Sequence, residues 1–121
     1  MENYTVKIVE TSRELTKKEK VQLKTNSATK LEDLCPINLE GINGYAVLEI
    51  HNERARDNKD YTRLVIFTES GEFYYTGSPT FKNSFMLIWE EMGDEKDWGL
   101  ECIKVPTDKY PGRYFLTCNL I

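Results

Sequence analysis

Residues 64–92 read LVIFTESGEFYYTGSPTFKNSFMLIWEEM. The apolar run Leu64–Phe67 leads into Ser70-Gly71, and glycine supplies the positive φ that a tight hairpin requires. Glu72–Thr76 then reads as a short return strand rich in aromatics. Ser78-Pro79 follows, an N-cap residue with proline at the first helical position. Phe81, Phe85, Ile88 and Met92 recur at helical spacing, so an amphipathic helix runs to Gly93, a C′ glycine. One short stretch therefore predicts strand, hairpin, strand and helix. The aromatic stripe of that helix is core material rather than a cofactor box.

Working outward, Asp60–Thr68 is the full strand on the N-terminal side of the turn. Arg54–Asn58 is a polar loop before it. Gly44–Glu53 is a further strand, with Ala46, Leu48 and Ile50 on one face and Tyr45, Val47, Glu49 and His51 on the other. C-terminal to the helix, Trp98–Val105 and Arg113–Ile121 read as two strands about a turn at Asp108–Gly112. On the last strand Tyr114, Leu116, Cys118 and Leu120 share one face, and Arg113, Phe115, Thr117 and Asn119 the other. Pairing about that turn sets Cys102 beside Cys118 on the buried side as neighbouring core thiols.

The composition shifts near residue 44. Residues 1–43 predict a strand at Tyr4–Val9, then a basic extension. Thr16 with Glu19 three residues on forms a capping-box pattern for two helical turns. Thr25–Asn43 reads as irregular, with one short helical turn at Lys30–Leu34. Residues 44–121 give strand, strand, strand, helix, strand, strand. That order is what an OB-fold requires, a partly open barrel with its helix between strands three and four. The expected fold is thus mainly β with one helix: a single domain, an OB-fold-like barrel of five to six strands, extended by the N-terminal strand. The same order also fits a small α+β sheet packed on one helix.

The chain has 121 residues and a formal net charge of −4, with 40% hydrophobic and 30% charged residues. These values suit one globular domain and exclude wholesale disorder. No apolar run is long enough to span a bilayer, and Met1–Glu10 lacks a signal-peptide pattern, so the expected location is the cytoplasm with no membrane partner. Cys35, Cys102 and Cys118 are odd in number, widely spaced and without a CxxC pair, so neither a disulfide framework nor a metal site is expected. There is no GxSxG elbow and no glycine-rich loop before a helix. The one histidine, His51, lies in a strand with no HxxxH partner. No cofactor and no catalytic residue are expected, and the protein is read as a non-enzyme.

Charge is segregated along the chain. Residues 13–30 carry a net +4 and residues 90–101 a net −5. The first could form a positive rim for phosphates, or both could be plain solvated faces. The chain's Phe, Tyr and Trp residues sharpen the choice. Several lie on strands among polar or basic neighbours: Tyr45, Tyr61 beside Arg63, Tyr74, and Phe115 beside Arg113. Tyr and Phe favour strands in any case. An aromatic on a face with Arg, Thr and Asn also suits base stacking next to phosphate contacts.

Residues 64–121 resemble the C-terminal part of the small single-stranded-DNA-binding proteins of phages that replicate by protein priming. The shared features are the strand ending Val65-Ile66-Phe67, the Ser70-Gly71 turn, the aromatic strand Glu72–Tyr75, the helix Pro79–Met92, and a hairpin closing on Tyr114-Phe115-Leu116. The resemblance implies an OB-fold that coats displaced strands during replication. The basic 13–30 and acidic 90–101 segments depart from it. On this reading bases stack on Tyr45, Tyr61, Tyr74 and Phe115, and Arg63, Lys104 and Arg113 meet phosphates, with Lys7 and Lys59 nearby. The partners are single-stranded DNA and replication proteins. Two other readings fit the same chain. One is a small acidic inhibitor of a host nucleic-acid enzyme or defence complex, its carboxylates imitating phosphates. The other is a protein-interaction module.

Overall fold

Alternating apolar residues and well-placed breakers make strands of about half of the described residues. The computed structural model describes residues 4–25, 28–53, 59–107 and 112–121. Among them are eight strands: β1 (Tyr4–Thr11), β2 (Thr29–Lys30), β3 (Ile37–Glu40), β4 (Ile42–Asn52), β5 (Asp60–Thr68), β6 (Phe73–Thr76), β7 (Gly99–Pro106) and β8 (Tyr114–Leu120). The helices are α1 (Lys17–Lys24) and α2 (Pro79–Met92), and Leu31–Asp33 is a 3-10 turn. The chain is mainly β, but with two helices rather than one. Neither helix is long and apolar enough to cross a membrane.

The strands form two sheets. The larger has the order β1-β4-β5-β6-β2, and the smaller β3-β7-β8. No ladder among the described residues joins β6 to β8, so the strands close no barrel. The sheets are linked instead by one bent path. β3 pairs with β7 and β4 pairs with β5, with only Gly41 between β3 and β4. Gly41 has φ +67°, a left-handed conformation that glycine adopts without steric cost. Its carbonyl accepts from the Glu69 N–H at 2.8 Å, and the Ile42 N–H donates to the Trp98 carbonyl at 3.2 Å, which fixes the corner.

β3 lies in the segment that reads as irregular. It is four residues between Pro36 and Gly41, and its pattern is too short to stand out. It becomes a strand because β7 supplies its hydrogen-bond partners. β1 extends the larger sheet by pairing with β4, as the sequence suggests. The hairpin register sets Cys102 opposite Cys118, also as expected. The loop at Arg54–Asn58 and the turn residues Asp108–Pro111 lie outside the described residues.

β4 and β5 are buried on both faces, which explains their near-continuous apolar runs. On one face the main core joins Tyr45, Val47, Leu64 and Ile66 to Phe81 and Phe85 of α2 and to Leu39, Leu100, Cys102, Leu116 and Cys118 of the smaller sheet. On the other, Leu15 and Leu23 cover Ala46, Leu48, Ile50, Val65 and Phe67. We call the second the α1 face. The caps follow the sequence: Ser78 Oγ accepts from the Phe81 N–H, and Thr16 with Glu19 forms the reciprocal capping box. Gly93 does not. It caps α2 in the right-handed region, φ −59°. It is small because a Cβ there would lie 2.9 Å from the Trp89 indole.

Candidate nucleic-acid interface

The α1 face is built by strand parity. Successive strand residues alternate sides, so Tyr61, Arg63, Val65 and Phe67 of β5 share a face. Across the β5–β6 ladder Phe67 opposes Phe73 and Val65 opposes Tyr75, which brings Phe73 and Tyr75 to the same side. On β4, Leu48 opposes Arg63 and Ile50 opposes Tyr61. Lys30 of β2 lies beside Tyr75 in a parallel pair.

This face has two halves. At the Phe67 end it is covered. The Phe67 and Phe73 rings are 4.7 Å apart, and the Arg13 guanidinium lies 5.1 Å from the Phe67 centroid. Arg13 also donates to both Glu19 carboxylate oxygens, at 3.1 and 2.8 Å, and so ties α1 to the sheet. That ion pair and the Thr16 N–H hold the Glu19 carboxyl down to about 2.

Among the described residues the other end is the more open of the two, half-buried rather than buried. Arg63 stands between two rings, its guanidinium carbon 4.1 Å from the Tyr75 centroid and 5.8 Å from the Tyr61 centroid. All three side chains are half-buried. An arginine drawn to aromatic faces is partly pre-ordered, so less freedom is lost when it meets a phosphate or a base. Exposed Lys30 borders this row. The lysines of α1, at 17, 18, 20 and 24, are exposed on the helix that covers the neighbouring half. Basic and aromatic groups thus meet on one side of the larger sheet.

The seven residues singled out in the sequence do not form one site. Tyr61 and Arg63 come together in the open half of the α1 face. Tyr45 is only 8% exposed and belongs to the core, where its ring lies 5.6 Å from Phe85 and 5.2 Å from Trp89. Its hydroxyl donates to Glu10 Oε2 at 2.6 Å, and burial above all pushes it up to about 12. A ring enclosed in this way offers no face to a base, which corrects the expectation for Tyr45. Tyr74 points to the opposite side from Tyr61 and Arg63, because it opposes Ile66. Its ring packs on the main core and its hydroxyl donates to Glu72, which pushes it up to about 12. Lys104, Arg113 and Phe115 are exposed on the β7–β8 hairpin of the other sheet. Lys7 is exposed on β1, and Lys59 pairs with Glu53 at 3.3 Å.

The sequence reading did not single out Tyr75, and it took Lys30 only within the basic 13–30 segment. A signal for Tyr75 was present. The Ser70-Gly71 turn pairs odd residues of β5 with odd residues of β6, so Tyr75, not Tyr74, belongs with Tyr61 and Arg63. Lys30 stood in the sequence only as part of the basic 13–30 segment, and its place beside Tyr75 had no local signal, since the parallel β2–β6 pair depends on tertiary placement.

The thiols lie apart from this face. Cys102 and Cys118 are buried, and burial raises both, Cys118 to about 12, so neither is an activated nucleophile. Among the described residues no group of three or more His, Cys, Asp or Glu side chains could hold a metal ion. No protein-family model matches the chain, and no curated protein or solved structure shows significant similarity to it.

Proposed function

We propose that this protein binds single-stranded DNA without strong sequence preference and coats displaced strands during phage DNA replication in the host cytoplasm. The observation that carries this reading is the Tyr61–Arg63–Tyr75 row on the open half of the α1 face, bordered by Lys30 and the α1 lysines. Bases stack on the two tyrosines, and Arg63 and Lys30 meet phosphates. Stacking of this kind tolerates any base, since every base has a π-face. The likeness of residues 64–121 to the phage proteins supports the replication setting. The bent β3–β4 path shared by both sheets, the β4-β5-β6 meander, and α2 before the β7–β8 hairpin support reading the fold as an opened OB-type barrel.

The test is anisotropy of a labelled oligo(dT) titrated at about 50 and about 300 mM salt. Binding should weaken steeply with salt, and Arg63→Ala should lower the salt slope by roughly 0.7, the share of one phosphate on a single strand. No binding at low salt by the folded protein would end this reading.

A second reading has its own support. Glu90, Glu91, Asp94, Glu95, Asp97 and Glu101 are all exposed, from the last turn of α2 into β7. Glu90 and Glu91 stand in the last turn of α2, where the helix dipole disfavours carboxylates. Such a surface suits an acidic inhibitor of a nucleic-acid enzyme. That protein would ignore oligo(dT) and retain a nucleic-acid enzyme from host lysate, and would lose it on Asp94→Lys with Glu95→Lys.

A further inference from the structure

His51 is the chain's single histidine. It opposes Asp60 at the end of the β4–β5 ladder, where the chain leaves β4 and returns to β5. Its Nδ1 lies 2.6 Å from Asp60 Oδ1, and its Nε2 lies 2.5 Å from Glu53 Oε1. An ionised carboxylate can only accept hydrogen bonds, and a neutral imidazole has only one N–H to give. A ring placed between two carboxylates therefore fits as the imidazolium. In the neutral form one ring nitrogen would turn a lone pair toward a carboxylate at hydrogen-bond distance.

Among the described residues the surrounding charges are few. Lys59 Nζ is 3.3 Å from the other Glu53 oxygen, and the Asn52 N–H donates to the Lys59 carbonyl at 2.6 Å. Glu49 of β4 and Lys7 of β1 line the same groove and offset each other, and Thr5, opposite His51 on β1, is neutral. With His51 charged, these six ionisable groups carry no net charge. Without its proton they carry one negative charge.

We propose that His51 is a proton-operated latch that ties Glu53 to Asp60 across the root of the β4–β5 connection and, when the proton leaves, releases Glu53 from the ring to its remaining partner Lys59. The ring is exposed, so it exchanges protons freely with solvent. Its hydrogen bonds to Asp60, and then to Glu53, raise it above the ordinary 6.5. The sign follows. The latch is fully closed below the ordinary histidine value and opens as pH rises through the raised value. Resting on the single-strand reading, there is a consequence for binding. Tyr61 follows Asp60 on β5 and lines the same groove from the opposite face of the sheet, so opening the latch leaves a negative charge at the strand end, one residue from a stacking ring.

The test follows the His51 ring protons of the full chain by NMR from about pH 5 to 9. The expected midpoint lies above 6.5, falls in Glu53→Gln and in Asp60→Asn, and returns to the ordinary value when both are changed. A wild-type midpoint at or below 6.5, or one that neither substitution moves, would overturn the latch. A second arm measures oligo(dT) affinity against pH. Affinity should drop about twofold above the midpoint in the wild type and not in His51→Gln. Flat wild-type affinity alongside a raised midpoint would overturn the coupling and keep the latch. An absence of oligo(dT) binding would overturn the single-strand reading, while the NMR titration still decides the latch.

Discussion

Two groups of aromatic residues in this protein use the same side chains for opposite ends. In the main core Tyr45, Phe85, Trp89 and Trp98 meet ring to ring, with centroid separations of 5.2 to 6.0 Å. On the open half of the α1 face, Tyr61 and Tyr75 meet an arginine instead. The first group is walled in by α2 and both faces of the fold, so its rings serve packing. The second is half-buried, packed at the edge of the cluster that Leu15 and Leu23 form with Val65 and Phe67. What separates the groups is neither residue type nor the strand's composition. It is which side of the sheet each residue takes and how much packs over it.

The sharpest way to break the comparison is Phe85→Ala. Phe85 is fully buried, so its loss should cost about 3–5 kcal/mol in urea denaturation, while the folded fraction keeps its oligo(dT) affinity. A change in affinity as large as the change in stability would mean that the two groups act as one. Next is Tyr45→Phe, which removes the bond to Glu10 and keeps the ring. Thermal melting should show a loss of about 1 kcal/mol, and oligo(dT) binding should not respond. A drop in affinity would return Tyr45 to the binding face.

The smallest effect concerns the cover itself. Because the Glu19 carboxyl is lowered from 4.5 to about 2, its contribution is present above 4.5 and is lost as pH falls through about 2. The pair is partly exposed, so the loss should be about 0.5–1 kcal/mol, read by circular dichroism against pH. Glu19→Gln should flatten that dependence. An unchanged acid profile in that variant would mean that Arg13 and Glu19 do not hold α1 in place.

Much of the scaffold was legible in the sequence because its causes are local. The Phe81–Phe85 stripe, the Ser78 and Thr16 caps and the Ser70-Gly71 turn each act within a few residues. The Cys102–Cys118 register followed from the position of the last turn. What was not legible depends on distant partners. β3 is a strand only because β7 lies beside it. Gly93 serves Trp89 packing rather than a left-handed cap. Tyr45 stands on a strand with apolar cover on both sides, and strand alternation alone cannot tell a second core from solvent. Tyr61 and Arg63 come to one face because they stand two residues apart on β5, a spacing visible in the sequence. Tyr74, singled out in the sequence, and Tyr75 differ by one position, and in a strand one position is the other face.

That one position offers the most direct measurement. Labelled oligo(dT) is titrated with Tyr75→Ala and with Tyr74→Ala at about 50 mM salt, with folding of each variant checked by circular dichroism. Stacking contributes roughly 1–3 kcal/mol per base, so Tyr75→Ala should weaken binding roughly five- to hundredfold, and Tyr74→Ala should stay within about twofold of the wild type. Equal losses in the two variants, or wild-type affinity in a folded Tyr75→Ala protein, would contradict the placement of single-strand binding on the Tyr61–Arg63–Tyr75 face.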